Sequence, residues 1–224
     1  MSTKAIILNC TLKKSPRESN TEALIKKAAA HFQELGVECN VVRVIDHNIA
    51  TGISSDEGNG DEWPSINTQI KAANIVVIAT PIWFGVRGSI CQKVMERLSG
   101  GYDEADAATG QYPLYNKVGA CIVTGNEDGA HDVCSNTLFN LTHLGATIAP
   151  NSDSYWLGEA GPGPSYLEIG QKNLYTNRTI SYLSHNTTYM AQLLANNPIP
   201  TNLKELDEKA KKISDVPGQK HVRI

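Results

Sequence analysis

Three segments of this 224-residue chain carry side chains that could act on a ligand. The first is Asn9-Cys10-Thr11-Leu12-Lys13-Lys14-Ser15-Pro16-Arg17-Glu18-Ser19-Asn20-Thr21, with four hydroxyls, two lysines and an arginine just ahead of an apolar stripe. A helix N-terminus leaves backbone N–H groups unpaired and carries partial positive charge, so hydroxyls and cations beside it suit a phosphate. A local role is equally open, because Ser19 and Glu22 have the spacing of a capping box. The second segment is Thr80-Pro81-Ile82-Trp83-Phe84-Gly85-Val86-Arg87-Gly88-Ser89. Its adjacent aromatics offer a flat wall for a planar ring, and Gly85 permits close backbone approach. The alternative is that Trp83 and Phe84 pack beneath the following helix. The third, Thr124-Gly125-Asn126-Glu127-Asp128-Gly129-Ala130, could bring amides to a second edge of such a ring. It could also be no more than an acidic helix start, which the helix dipole favours.

These segments must be held by the elements that flank them. Ala5-Ile6-Ile7-Leu8 and Ile75-Val76-Val77-Ile78-Ala79 are unbroken apolar runs, as expected of strands covered on both faces. Further strands are read at 37–44, 118–123 and, briefly, at 146–148. Apolar residues at helical spacing (Leu24, Ala28, Phe32 and Leu35; Ile90, Val94 and Leu98; Val133, Thr137, Leu141 and Leu144; Leu183, Thr187, Met190 and Leu194) mark helices between and after them. Ser89 and Gln92 have capping-box spacing, and Pro64 suits the first turn of another helix after Asp61. Alternation of strand and helix predicts an α/β fold, a doubly wound five-stranded parallel sheet with helices on both faces. Residues 1–197 read as one domain, 102–116 as a polar insertion and 198–224 as a charged tail. In such a sheet the three segments all leave carboxyl ends of strands, where ligands bind.

A phosphate, a polyol chain and a three-ring face are the parts of flavin mononucleotide (FMN), and the three loops offer a counterpart to each. From Lys4 to about Gly158 the chain resembles the NADPH-dependent FMN reductase and flavodoxin-like quinone reductase families. The resemblance rests on the hydroxyl loop ending Ser19-Asn20-Thr21, on Thr80-Pro81-Ile82-Trp83-Phe84-Gly85, and on Thr124-Gly125-Asn126-Glu127-Asp128-Gly129. It implies a flavodoxin-like fold and FMN as cofactor. Thr11 with Leu12, Ser19, Asn20 and Thr21 would hold the phosphate. Pro81, Ile82, Trp83, Phe84 and Gly85 would meet the ribityl chain and ring, and Thr124, Gly125, Asn126 and Gly129 would close the pyrimidine side. The first loop is longer than the compact Gly-Ser-x-Arg-x-x-Ser form, with Asn9-Cys10 at its start, so the resemblance assigns no role to Lys13 or Arg17.

The implied activity is transfer of hydride or electrons from NAD(P)H, a transient co-substrate, to a flavin, quinone or similar small acceptor. A non-catalytic flavodoxin-type electron carrier is the alternative; such carriers dock through strongly acidic surfaces, and a net charge of −3 is mild. No side-chain acid or base is expected to be obligatory, although His131 and Asp132 could stand beside the ring. Relatives of this kind form homodimers or homotetramers, for which the insertion and the tail are candidate contacts. Balanced charge argues against nucleic acid, and no run approaches the roughly 20 apolar residues of a membrane span. Five scattered cysteines without a CxxC pair suit a reducing cytoplasm rather than a zinc site or redox dithiol. The histidines have no metal-ligand spacing. A phospho-receiver would need Asp at the end of the third strand, where Thr80-Pro81 stands. Residues 56–61 are acidic but out of calcium-loop register, and read as a solvated loop.

Overall fold

The computed structural model describes residues 2–214. In chain order its elements are β1 (Lys4–Asn9), α1 (Asn20–Glu34), β2 (Glu38–Arg43), α2 (Trp63–Ala72), β3 (Ile75–Trp83), β4 (Val86–Arg87), α3 (Ser89–Leu98), β5 (Val118–Gly125), α4 (Ala130–His143), β6 (Thr147–Leu157), α5 (Leu174–Asn196) and α6 (Leu203–Ile213). The main sheet runs β2-β1-β3-β5-β6 with every neighbouring pair parallel, and β4 adds a short antiparallel partner to β3. The expected five parallel strands are therefore present, and the sixth strand is the return arm of a hairpin at the end of β3. The chain steps outward from β1 to β2, then crosses back to β3, so the loops after β1 and β3 diverge and leave a crevice between them.

Alternation along the strands sorts the core into two layers. Ala5, Ile7, Val77 and Ala79 face Leu24, Ile25, Ala28 and Phe32 of α1 and Ile180, Leu183 and Leu194 of α5. Ile6, Leu8, Val76 and Ile78 face Trp63, Ile66 and Ile70 of α2 and Cys91, Val94 and Leu98 of α3. Residues 75–79 are all fully buried, and each large aliphatic among them contributes roughly 1.5–3 kcal/mol relative to exposure. No helix among the described residues is long and apolar enough to cross a membrane.

One local expectation is corrected, at the start of α3. α3 is capped by Gly88 with no side-chain bond, and Gln92 Oε1 instead accepts from Arg87 Nε at 2.8 Å. The tail from residue 198 forms α6 up to Ile213, and the rest lies outside the described residues. Tail and insertion hold each other within the one chain. Leu203 N donates to Thr109 O at 2.7 Å, and Gln111 Nε2 donates to the carbonyls of Ile199 and Thr201, each at 2.9 Å.

The acidic stretch at 56–61 is not simply solvated. Asp61 and Arg97 form an ion pair at 2.6 Å with both side chains fully buried. Arg97 also donates to Ser54 O and Ala50 O, each at 3.0 Å, and lies 5.6 Å from the centre of the Trp63 ring. One guanidinium thus gathers the loop between β2 and α2 onto α3. Burial opposes ionisation of Asp61, but the Arg97 guanidinium and the N–H groups of Glu57, Trp63 and Ala50 outweigh it and hold the carboxyl well below its usual pKa.

Removing one partner of a buried pair strands the other, so Arg97→Met should cost about 3–5 kcal/mol in urea unfolding. Because the folded-state pKa of Asp61 is depressed, its stabilisation is present above the unfolded value of roughly 3.9 and is lost as pH falls below it. Denaturation curves between pH 5 and 3 should therefore fall more steeply for the parent than for Asp61→Asn; equal slopes would contradict this.

Candidate functional site

A cavity of 440 Å³ lies at the crevice between the ends of β1 and β3, within the roughly 300–1,000 Å³ of small-molecule sites. Thr11, Leu12, Lys13, Ser19, Asn20 and Thr21 line it from the β1–α1 side, and Pro81, Ile82 and Trp83 from β3. Thr124, Gly125, Asn126 and Glu127 line it from the end of β5, and Trp156 and Gly161 from beyond β6. Of the fourteen residues singled out from sequence, the cavity gathers all but Phe84, Gly85 and Gly129.

On the α1 side the two readings of Ser19 prove compatible. Ser19 Oγ accepts from Glu22 N at 3.3 Å as the N-cap, and its own hydroxyl donates to Thr11 Oγ1 at 3.0 Å. The reciprocal half of the capping box is absent, since the Glu22 carboxylate pairs with Arg43. Ala23 N bonds to Ser19 O, so the N–H groups of Asn20 and Thr21 have no partner within the helix. Thr21 Oγ1 lies 2.8 Å from Thr124 Oγ1 and ties the helix start to the end of β5. Lys14 and Arg17 are exposed and outside the cavity. Arg43 Nη1 binds the carbonyls of Lys13 and Arg17, and Ser15 N donates to Asp46 Oδ1 at 2.9 Å, so the long loop is pinned on its outer side.

On the β3 side, neither aromatic packs beneath a helix: Trp83 is 52% exposed and Phe84 is 93% exposed. Residues 82–83 pair with 86–87, which leaves Phe84 and Gly85 as a two-residue hairpin turn with φ of 50° and 76°. Positive φ at both central residues is what the type I′ hairpin turn demands. The Glu127 carboxylate accepts both turn amides, Phe84 N at 3.0 Å and Gly85 N at 3.3 Å. Gly129, at φ 117°, approaches so closely that a Cβ would lie 2.4 Å from Gly85 O. The three residues outside the cavity thus lock the hairpin to the β5–α4 loop, and Trp83 stands on the wall they brace.

The opposite wall depends on residues that the sequence reading passed over. β6 continues to Leu157 beyond an irregularity near Asn151, which places buried Trp156 at the cavity. Trp156 meets the Tyr166 ring edge-on at 5.5 Å. The Gly/Pro-rich segment after β6 is strapped down by two of the expected site residues. Asn126 Nδ2 donates to Gly163 O and Pro164 O, each at 3.0 Å, and Asn20 Oδ1 accepts from Leu167 N at 3.0 Å. His131 stands apart, with Nε2 3.0 Å from Tyr155 Oη, and does not line the cavity.

The donor set suits a phosphorylated planar ligand. Hydroxyls, free helix amides and Lys13 cluster on one side, and Pro81, Ile82, Trp83 and Trp156 provide apolar surface on the other. Comparison with known proteins agrees. The model of the family described as NADPH-dependent FMN reductase matches residues 3–159. The 8-demethyl-8-aminoriboflavin-5'-phosphate synthase of Streptomyces davaonensis is 41% identical over 225 residues, covering 96% of this chain and 87% of that protein. The crystal structure of RosB with bound 8-demethyl-8-formylriboflavin-5'-phosphate superposes with a TM-score of 0.90 at 39% identity, over 100% of this chain and 93% of that one. An apo NADH:FMN oxidoreductase, EMOB, shares the fold at a TM-score of 0.57 and 15% identity, over 86% of this chain and 89% of that one. Matched over most of its length, the chain belongs to the NADPH-dependent FMN reductase family.

Proposed function

We propose that the cavity holds riboflavin 5'-phosphate and that the protein is an FMN-dependent oxidoreductase, passing reducing equivalents from NAD(P)H to a small acceptor. The observation that carries this reading is a cavity in which an unsatisfied helix N-terminus with three hydroxyls, Thr11, Ser19 and Thr21, meets an aromatic wall. Thr11, Ser19, Asn20, Thr21 and Lys13 hold the phosphate; the helix dipole favours its charge. Pro81, Ile82 and Trp83 bear on one side of the ring, while Thr124, Gly125 and Asn126 fix its edge. Bound FMN supplies the hydride and electron chemistry, and the protein binds, orients and shields it. With no carboxylate–imidazole pair at the cavity, a proton reaches the site from solvent rather than from a dedicated side chain. The free cysteines suit work in a reducing cytoplasm.

A second reading is favoured by the 41% identity to the aminoriboflavin phosphate synthase over nearly the whole chain. Here flavin phosphate occupies the same cavity as the substrate to be altered and not as a resident cofactor. The mass of the flavin recovered after incubation separates the two. Unchanged FMN together with NAD(P)H consumption supports the reductase; a shifted mass supports flavin modification. A protein that binds FMN but does neither would be an electron carrier.

Two substitutions test the site itself. Thr11→Val removes a hydroxyl from the phosphate end, and hydrogen bonds to charged groups are worth about 1.5–3 kcal/mol. FMN affinity, read by fluorescence titration, should fall roughly 10- to 100-fold; unchanged affinity would move the phosphate elsewhere. Gly129→Ala forces a Cβ onto Gly85 O and should cost about 1–3 kcal/mol of stability. It should also weaken FMN binding although Gly129 lies outside the cavity; tight binding in a folded variant would show that the hairpin does not shape the site.

A further inference from the structure

After β6 the chain runs through Gly158-Glu159-Ala160-Gly161-Pro162-Gly163-Pro164-Ser165 before Tyr166 is buried against Trp156. This strap begins where the match to the family ends, at residue 159. None of residues 159–165 is buried, so packing does little to hold them. At one end Gly158 N donates to Gly125 O at 2.8 Å, and at the other Leu167 N donates to Asn20 Oδ1. Between these points, the hydrogen bonds that tie 159–165 to more distant described residues are the two from Asn126 Nδ2 to Gly163 O and Pro164 O. Gly158 packs so closely on Asn126 that a Cβ there would stand 3.0 Å from Nδ2.

The chemistry of each partner decides which way these amides face. A backbone carbonyl can only accept, and a backbone N–H can only donate. Asn126 therefore turns its NH2 to the strap, which leaves Oδ1, an acceptor, without a partner among the described residues. Asn20 is turned the other way: Oδ1 takes Leu167 N, and Nδ2, a double donor, is left over. Both side chains line the cavity. Flipping either amide would set like against like and cost the strap its hydrogen bonds.

We propose that the strap is a specificity element: by claiming one end of each amide it fixes what the other end offers a ligand. The proposal rests on the flavin phosphate reading above and adds to it the atoms that make the selection. The Nδ2 donor of Asn20 stands at the start of α1, where the N–H groups of Asn20 and Thr21 are also free of helix partners, and selects a phosphate oxygen. The Oδ1 acceptor of Asn126 stands at the end of β5 and selects an N–H at the ring edge, which the imide of a flavin pyrimidine supplies. A ring without that N–H would leave the acceptor unpaired. Strap and ligand are coupled, because each holds the opposite end of the same two side chains. A ligand that steadies one end therefore steadies the strap at the other.

Fluorescence titration of the full chain with FMN, riboflavin and FMN methylated at its imide nitrogen tests this, together with limited proteolysis of the strap. Asn20→Asp keeps the acceptor for Leu167 N but replaces the free donor by an oxygen. Its FMN affinity should fall roughly 100-fold, since like charges then face each other, while its riboflavin affinity stays at the parent value. The parent should bind FMN at least roughly 10-fold more tightly than the methylated flavin, and Asn126→Leu should bind the two equally. FMN should also slow cleavage between residues 159 and 165 in the parent but not in Asn126→Leu. Equal losses of FMN and riboflavin affinity in Asn20→Asp would overturn the proposal while leaving flavin binding intact. So would a parent indifferent to methylation, a preference that survives in Asn126→Leu, or a parent strap cut equally fast with and without FMN. A parent that takes up no flavin would overturn the underlying reading and the proposal with it.

Discussion

Backbone polar groups that run out of sheet or helix partners at the carboxyl ends of β1, β3 and β5 are the constraint around which this molecule is built. Each must find a partner or face a ligand. The chain answers with side chains that do two things at once. Ser19 caps α1 and lines the cavity; Glu127 takes both hairpin amides and lines the cavity; Asn20 and Asn126 anchor the segment after β6 from within it. What is left unpaired, the N–H groups of Asn20 and Thr21, points to where an anion is best accommodated. The site is what remains after the loops have satisfied themselves.

Buried charge plays the same part on the far side of the sheet. The segment between β2 and α2 sends Val44 and Ile49 into the core, and the rest of it is gathered by the Arg97 guanidinium, which collects two carbonyls and a carboxylate in one planar fork. α3, which carries Arg97, begins directly after the hairpin. The element that supports the Trp83 wall is therefore also the one that gathers the long loop.

Much of this was legible in the amino-acid order. Unbroken apolar runs such as Ile75–Ala79 reveal strands covered on both sides, and the hydroxyls from Thr11 to Thr21 reveal a polar helix entry. Legibility failed where pairing overrides local preference. Thr80-Pro81 reads as a strand end because Pro has no N–H to donate. β3 nonetheless runs on to Trp83, with Pro81 beside Thr124 and its carbonyl accepting Gly88 N at 3.1 Å. β6 is longer still, but Pro150 and Asn151, at φ 55°, break its alternation and hide Trp156. The reach of Glu127 to the hairpin spans more than forty residues and leaves no local signature. Phe84 was legible as an aromatic for a ring or for packing beneath the next helix, but not as a hairpin tip, since a bulky residue at positive φ runs against its own preference.

The contact of Gly129 with Gly85 carries a consequence for how such proteins diverge. Two loops that touch backbone to backbone cannot drift separately: a longer hairpin, or a side chain at Gly129, demands a compensating change in the other loop. Among descendants of this fold the pair should be inherited as one cassette, so that grafting the hairpin alone into a relative transplants a shape without its support, whereas grafting both loops together moves the whole wall.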